Sequence, residues 1–149
     1  MRSFGLSVIP ADRKKYALAG NLSIYENFGV SGILEKLYGR FLIKLGLLKS
    51  VAKEAVSKYD IQGVNSIRQN AALLSGGNAQ KLVVAREFNS KPSLIVAHSP
   101  SRGLDLKAAA SVHSNLKKRV KEGASVILIS EDLDEIFLLS NRIAVLHSG

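Results

Sequence analysis

Apolar and polar positions change rhythm along this chain, and each change marks a different kind of element. Phe4 to Ile9 is short, β-prone and stopped by Pro10, so it reads as a strand. Asn21-Leu22-Ser23 then precedes Ile24 to Phe28, which predicts a short helix with Ser23 as its cap. From Leu34 the apolar residues Leu37, Tyr38, Phe41, Leu45 and Leu48 recur at spacings of three and four, the period of a helix with one buried stripe. Ile43 and Leu47 lie off that stripe and are either a second apolar surface for another subunit or part of a helical packing core. Val51 to Tyr59 continues as helix, and residues 61 to 74 read as irregular.

Past residue 75 the pattern becomes an alternation. Helix 78–89, strand 93–97, helix 105–121, strand 125–130, helix 132–140 and strand 142–147 follow one another as in a doubly wound α/β sheet. Leu94-Ile95-Val96-Ala97 and Ser125-Val126-Ile127-Leu128-Ile129 are apolar runs of the kind found in parallel strands covered on both faces. The helix at 105–121 places Leu106, Ala109, Ala110, His113, Leu116 and Val120 on one stripe, which makes His113 a packed core histidine. The organisation is therefore a helical segment, 21–74, set into an α/β part formed by 1–20 and 75–149.

Composition narrows the function classes. The 149 residues suit one domain, and 46% hydrophobic with 22% charged residues is the balance of a globular chain. No run approaches the roughly 20 apolar residues of a membrane-spanning helix, so a membrane role has to come through a partner. There are no cysteines, hence no disulfides or thiolate metal sites, and nothing resembles a secretory signal; an intracellular location is the default. The net charge of +9 makes acidic partners plausible. Its densest clusters, Arg13-Lys14-Lys15 and Lys117-Lys118-Arg119-Lys121, read as solvated faces, because a sequence-independent DNA binder interleaves basic residues with aromatics for stacking. His98, His113 and His147 show no metal-ligand spacing.

The candidate chemistry sits at Ser75-Gly76-Gly77-Asn78. A helix N-terminus presents unpaired N–H groups and partial positive charge to an anion; the glycines let backbone approach an oxygen, Ser75 offers a hydroxyl and Asn78 an amide. Alone, the same residues could be no more than a turn in which Ser75 caps the helix. No glycine in the chain is followed by lysine, so the G-x-x-x-x-G-K-[ST] loop that would hold the rest of a nucleotide is missing.

The order of segments decides between these readings. After Leu74 to Lys81 come Lys91-Pro92, the strand Leu94 to Ala97, His98-Ser99-Pro100-Ser101-Arg102-Gly103-Leu104-Asp105, a helix, a strand, and Ser130-Glu131-Asp132-Leu133-Asp134-Glu135. This order resembles the ATP-binding cassette ATPases, a branch of the P-loop NTPases: signature loop, Walker B strand, D-loop and switch segment. Ile9-Pro10-Ala11-Asp12-Arg13-Lys14-Lys15, with Ser23-Ile24 and Glu26-Asn27 after it, resembles the Q-loop region in the second cassette of tandem subunits from simple-sugar and nucleoside importers, and asparagine after the two glycines fits that branch.

The resemblance implies a partial cassette with a helical subdomain, belonging to the ATP-binding subunit of a sugar or nucleoside importer. It would act peripherally at the cytoplasmic face of the membrane, beside transmembrane permease subunits. In the family the Walker B strand ends in an aspartate that helps hold Mg²⁺ and then a glutamate; here those positions are His98 and Ser99. The switch histidine position holds Glu131, and Ala11 stands where a carboxylate is usual. A histidine is a poor Mg²⁺ ligand, a serine hydroxyl too weak a base, and Glu131 adds negative charge where a γ-phosphate would lie. Those three positions therefore read as catalytically degenerate, no metal ligand is assigned, and the isolated chain is expected to be inactive. Ser75, Gly76, Gly77 and Asn78, with Asp105 as the D-loop aspartate, match instead the parts that meet ATP held by the partner cassette. The strand and helix of the P-loop are expected upstream of Met1 and a β-hairpin beyond Gly149, so that the remaining strands would expose apolar surface and self-associate. The rival reading, a basic nucleic-acid-binding or chromosome-maintenance module, calls for intact Walker B carboxylates and a coiled coil before the signature. Neither is present, and nucleic acid is not expected as a partner.

Overall fold

The computed structural model describes residues 5–34 and 43–147. Three parallel strands, β1 (Leu6–Ile9), β2 (Leu94–His98) and β3 (Ser125–Ile129), lie side by side in that order. Leu6 pairs with Leu94 and Leu94 with Ser125; His98 pairs with Ile129 at the carboxyl ends. Between the strands run α1 (Arg13–Tyr16), α2 (Ile24–Leu34), α3 (Leu45–Lys58), a 3-10 turn at Ala71–Leu73, α4 (Gly76–Asn89) and α5 (Leu106–Lys121), with α6 (Leu133–Leu139) last.

The helix boundaries follow from local chemistry. Ser23 and Glu26 form a reciprocal capping box: the Ser23 amide donates to the Glu26 carboxylate (2.8 Å) and the Glu26 amide to Ser23 Oγ (3.3 Å). The Ser23 hydroxyl, which also donates to this carboxylate, and then the Ser23 amide hold the Glu26 carboxyl below its ordinary value. At the far end of α5, Gly123 takes φ +99°. Its amide reaches the Val120 carbonyl while the Ala124 amide reaches that of Arg119, the paired bonds of a Schellman stop.

The central element is α4, whose residues Ala79 to Phe88 are buried without a break. It packs against α2 and α3 on one side and α5 and β1 on the other. Ala79, Leu82 and Ala85 join Ile24, Phe28, Ala52, Ala55 and Leu74 in one apolar cluster. Val84 and Phe88 join Ile9, Ile95, Ala97, Val112 and Leu116 in a second. A helix enclosed on all sides must satisfy its polar residues internally, and this one does so except at Gln80 Oε1, which has no partner. Gln80 donates to the Pro100 carbonyl (2.7 Å), Lys81 to the Asp60 carbonyl (2.6 Å), and Arg86 to the Ala17 carbonyl (2.6 Å) while pairing with Glu87.

Four expectations change. The strand at 142–147 does not form; these residues have no regular structure, and Val145 and Leu146 are almost fully exposed. A strand needs a neighbour to take its backbone hydrogen bonds, and β3 pairs only with β2 among the described residues. Among the described residues the sheet is covered on one face only: Ser7, Ile9, Ile95 and Ala97 are buried, whereas Val8, Ile127 and Ile129 are 41–51% exposed. The buried stripe of α5 is Ala108, Val112 and Leu116, so Leu106 and Val120 face outward. His113 consequently lies beside the core and binds Glu135 of α6 (Nε2 to Oε1, 2.9 Å). The helix expected from Leu34 falls partly on 35–42, outside the described residues; α3 carries its continuation and buries Leu48, Ala52 and Ala55, but Leu45, expected on the buried stripe, is exposed, as are Leu47 and, just before the helix, Ile43.

Candidate functional site

The site lies where α4 begins. Ser75 caps the helix in extended conformation (φ −60°, ψ 160°), and its Oγ accepts from the Asn78 amide (3.4 Å) and from Asn78 Nδ2 (3.0 Å). Both bonds use the oxygen as acceptor, so the Ser75 hydroxyl proton remains for an outside acceptor, and the residue is exposed. The amides of Gly76 and Gly77 belong to the first turn, where no intrahelical acceptor exists. Three donors are therefore grouped at the start of one helix.

Asn78 serves this arrangement from within. Its Oδ1 accepts from the Gln62 amide (2.8 Å) as its Nδ2 holds Ser75. Gln62 in turn binds the Asp60 side chain, which also receives Lys81 Nζ (3.2 Å). The Lys81 hydrogen bond, then that of Gln62, hold the Asp60 carboxyl below its ordinary value. The chain Lys81–Asp60–Gln62–Asn78–Ser75, in which Gln62 contributes both its side chain and its backbone amide, thus fixes the hydroxyl.

Gly77 is required by its neighbours, and a side chain at Gly76 would displace the Arg13 guanidinium. A Cβ on Gly77 would come within 2.9 Å of Ala108 Cβ and 3.9 Å of Asp105 Oδ2, and one on Gly76 within 2.8 Å of Arg13 Nη2. Asp105 caps α5, its Oδ1 accepting from the Ala108 amide (2.8 Å), and its other oxygen lies toward Gly77. The structure thus brings Asp105 to the Ser75–Asn78 turn, from nearly thirty residues away. The loop between β2 and Asp105 is tied to α4 by Gln80 and to α1 by Arg13 Nη1, which donates to the Arg102 carbonyl (3.1 Å).

His98, Ser99 and Glu131 form a separate group at the carboxyl ends of β2 and β3. His98 and Glu131 are exposed. Ser99 has φ +42°, a left-handed conformation unusual for a residue with a side chain, and its amide donates to the Ile129 carbonyl (2.7 Å). Among the described residues no group of three His, Asp or Glu side chains could hold a metal ion. The residues missed from sequence are Arg13, read as part of a solvated cluster, and Gln80 and Gln62. Their spacing does not announce the contacts of Arg13 with Arg102, Gln80 with Pro100 and Gln62 with Asn78, because these partners are distant along the chain.

No family model matches the chain. It is 40% identical over 147 residues to the glucose import ATP-binding protein TsgD13 of Haloferax volcanii, covering 97% of this chain and 27% of that protein. It is 36% identical over 146 residues to the nucleoside import ATP-binding protein NupA of Lactococcus lactis, covering 95% of this chain and 28% of that one. The chain belongs to the ATP-binding cassette ATPases. Its fold matches that of the cassette MJ0796, solved as a dimer in a post-hydrolysis state bound to ADP and Pi, with a TM-score of 0.73 at 21% identity, over 92% of this chain and 56% of that one. The cassette described here spans about a quarter of the length of the curated relatives it matches.

A nucleotide phosphate fits the donor chemistry of the α4 turn, with its exposed Ser75 hydroxyl and the first-turn amides of Gly76 and Gly77. It does not fit His98, Ser99 and Glu131 as a Mg²⁺ site, because none of the hard carboxylates such a site needs stands at the first two positions.

Proposed function

We propose that this cassette is part of the ATP-binding subunit of an importer of sugars or nucleosides, and that its Ser75–Asn78 turn completes an ATP site whose phosphate loop and general base belong to a partner cassette. The observation that carries the reading is the contrast between two places on one molecule. The turn at α4 has a capped, pre-set hydroxyl and two free amides with Asp105 alongside. The ends of β2 and β3, where hydrolysis would be run from this side, carry His98, Ser99 and Glu131.

Within that reading each residue has a definite role. The Ser75 hydroxyl and the Gly76 and Gly77 amides donate to phosphate oxygens, with the N-terminal end of α4 adding its partial positive charge. Asn78 holds the hydroxyl in place, and Asp105 borders the turn. ATP with Mg²⁺, bound mainly by the partner cassette, supplies the phosphoanhydride whose cleavage powers uptake. Transmembrane permease subunits place the assembly at the cytoplasmic face of the membrane, consistent with the fact that no described helix is long and apolar enough to cross it.

The test uses the full-length subunit assembled with its membrane partners. Ser75→Arg is expected to lower ATP hydrolysis about 100-fold or more, the scale of losing a preorganised electrostatic group. Gly77→Asp is expected to do the same, partly through collision with Ala108. Alanine at His98, Ser99 or Glu131 is expected to cost far less. Equal losses in the two sets would show that this half runs chemistry of its own and would overturn the division of labour.

A further inference from the structure

The Arg13 side chain occupies a position that the proposed function does not explain. It begins α1, directly after β1 and the turn at Pro10-Ala11-Asp12. Its guanidinium meets two segments distant in sequence: Nη1 donates to the Arg102 carbonyl (3.1 Å), and Nη2 lies 2.8 Å from where a Cβ on Gly76 would stand. Its Nε is buried and has no hydrogen-bond partner. A cation set against the positive end of a helix is unfavourable by itself, so the placement calls for a compensating role. The guanidinium fork supplies one, because its rigid plane can hold two surfaces at a fixed separation in a way a flexible ammonium cannot.

We propose that Arg13 is a positioning residue: it sets the first turn of α4 against the 101–105 loop, so that the segment after β1, the signature turn and the Asp105 region shift as one body. The small size of Gly76 is the other half of the device, since any side chain there would push the guanidinium away. Through this contact a displacement of the segment after β1 reaches the Ser75 hydroxyl without passing through the apolar cores. The proposal rests on the reading that this turn meets a nucleotide in trans, and the experiments are chosen so that the two can fail separately.

Hydrogen exchange on the chain itself requires no nucleotide. Arg13→Ala is expected to speed exchange about tenfold at the hydrogen-bonded amides of Asn78, Ala79, Arg102 and Leu104, while those of β2 and α5 keep their protection. Arg13→Lys retains the charge and reaches one partner at most, so it is expected to speed exchange at the same amides by a smaller factor. Unchanged exchange in Arg13→Ala, or full restoration by lysine, overturns the positioning role. If Arg13→Ala unfolds the chain generally, the lysine variant decides alone: local acceleration supports the proposal and wild-type exchange ends it. In the assembled importer subunit, Arg13→Ala is expected to raise KM for ATP about tenfold, the worth of one charge-assisted contact, with a smaller change in kcat. An unaltered KM, with Ser75→Arg inactive in the same assembly, overturns the positioning role and leaves the trans site standing. Failure of Ser75→Arg to reduce hydrolysis overturns the trans site instead.

Discussion

At the scale of single residues, the site is built from side chains that hold other side chains. Ser75 faces solvent, yet its orientation is set by Asn78, Gln62, Asp60 and Lys81 behind it. Asp60 takes φ +50°, a conformation asparagine also tolerates, so Asp60→Asn removes the charge with little backbone penalty. Because Lys81 and Gln62 hold the folded carboxyl below its ordinary value, its contribution to stability is present above the unfolded value of about 3.9 and fades as pH falls through the lower folded value. Denaturant titrations should therefore show Asp60→Asn less stable than the parent chain at pH 7, with the gap closing below pH ~4. A gap that persists undiminished at pH 2 would mean that the charge is not what matters there.

At the scale of elements, α4 joins the two apolar clusters and also carries the site at its first turn. Leu82 is 1% exposed in the cluster shared with α2 and α3, whereas Leu106, at the start of α5, is 92% exposed. Leu82→Ala should cost about 2–5 kcal/mol by urea unfolding, a large share of the 5–15 kcal/mol typical of a domain. Leu106→Ala should stay within about 0.5 kcal/mol. The reverse order would restore the stripe that periodicity alone assigns to α5. That stripe and the true one both show helical spacing, and only the packing of α5 against α4 and β3 selects Ala108, Val112 and Leu116.

At the scale of the whole molecule, the open sheet face and the missing phosphate loop have separate consequences. Val8, Ile127 and Ile129 present apolar side chains to solvent on one face, and β3 lacks a second neighbour among the described residues. Sedimentation should show mass rising with concentration, and Ile127→Lys should reduce it. A chain that stays monomeric, or associates equally with the lysine present, would place the contact elsewhere. Titration calorimetry should detect no saturable MgATP binding tighter than about 1 mM, a regime worth about 4 kcal/mol. Micromolar, Mg²⁺-dependent binding would show that this chain holds nucleotide without a partner.

The order of segments and the caps at Ser23 and Ser75 were legible in the sequence because they depend on neighbours a few residues away, and the glycine pair was legible as a motif although the residues packed against it are remote. Ser23 with Glu26, Ser75 with Asn78 and Asp105 with Ala108 are local bonds, and the apolar runs of β2 and β3 are strand signals at close range. Three things required the tertiary structure: which face of α5 is buried, whether 142–147 forms a strand, and what Arg13 touches. Each depends on a partner remote in sequence. Helical period specifies a stripe but not the surface that covers it, and β-propensity cannot pair a strand without a neighbour. The guanidinium of Arg13 is joined to Arg102, 89 residues away, by geometry that no spacing encodes.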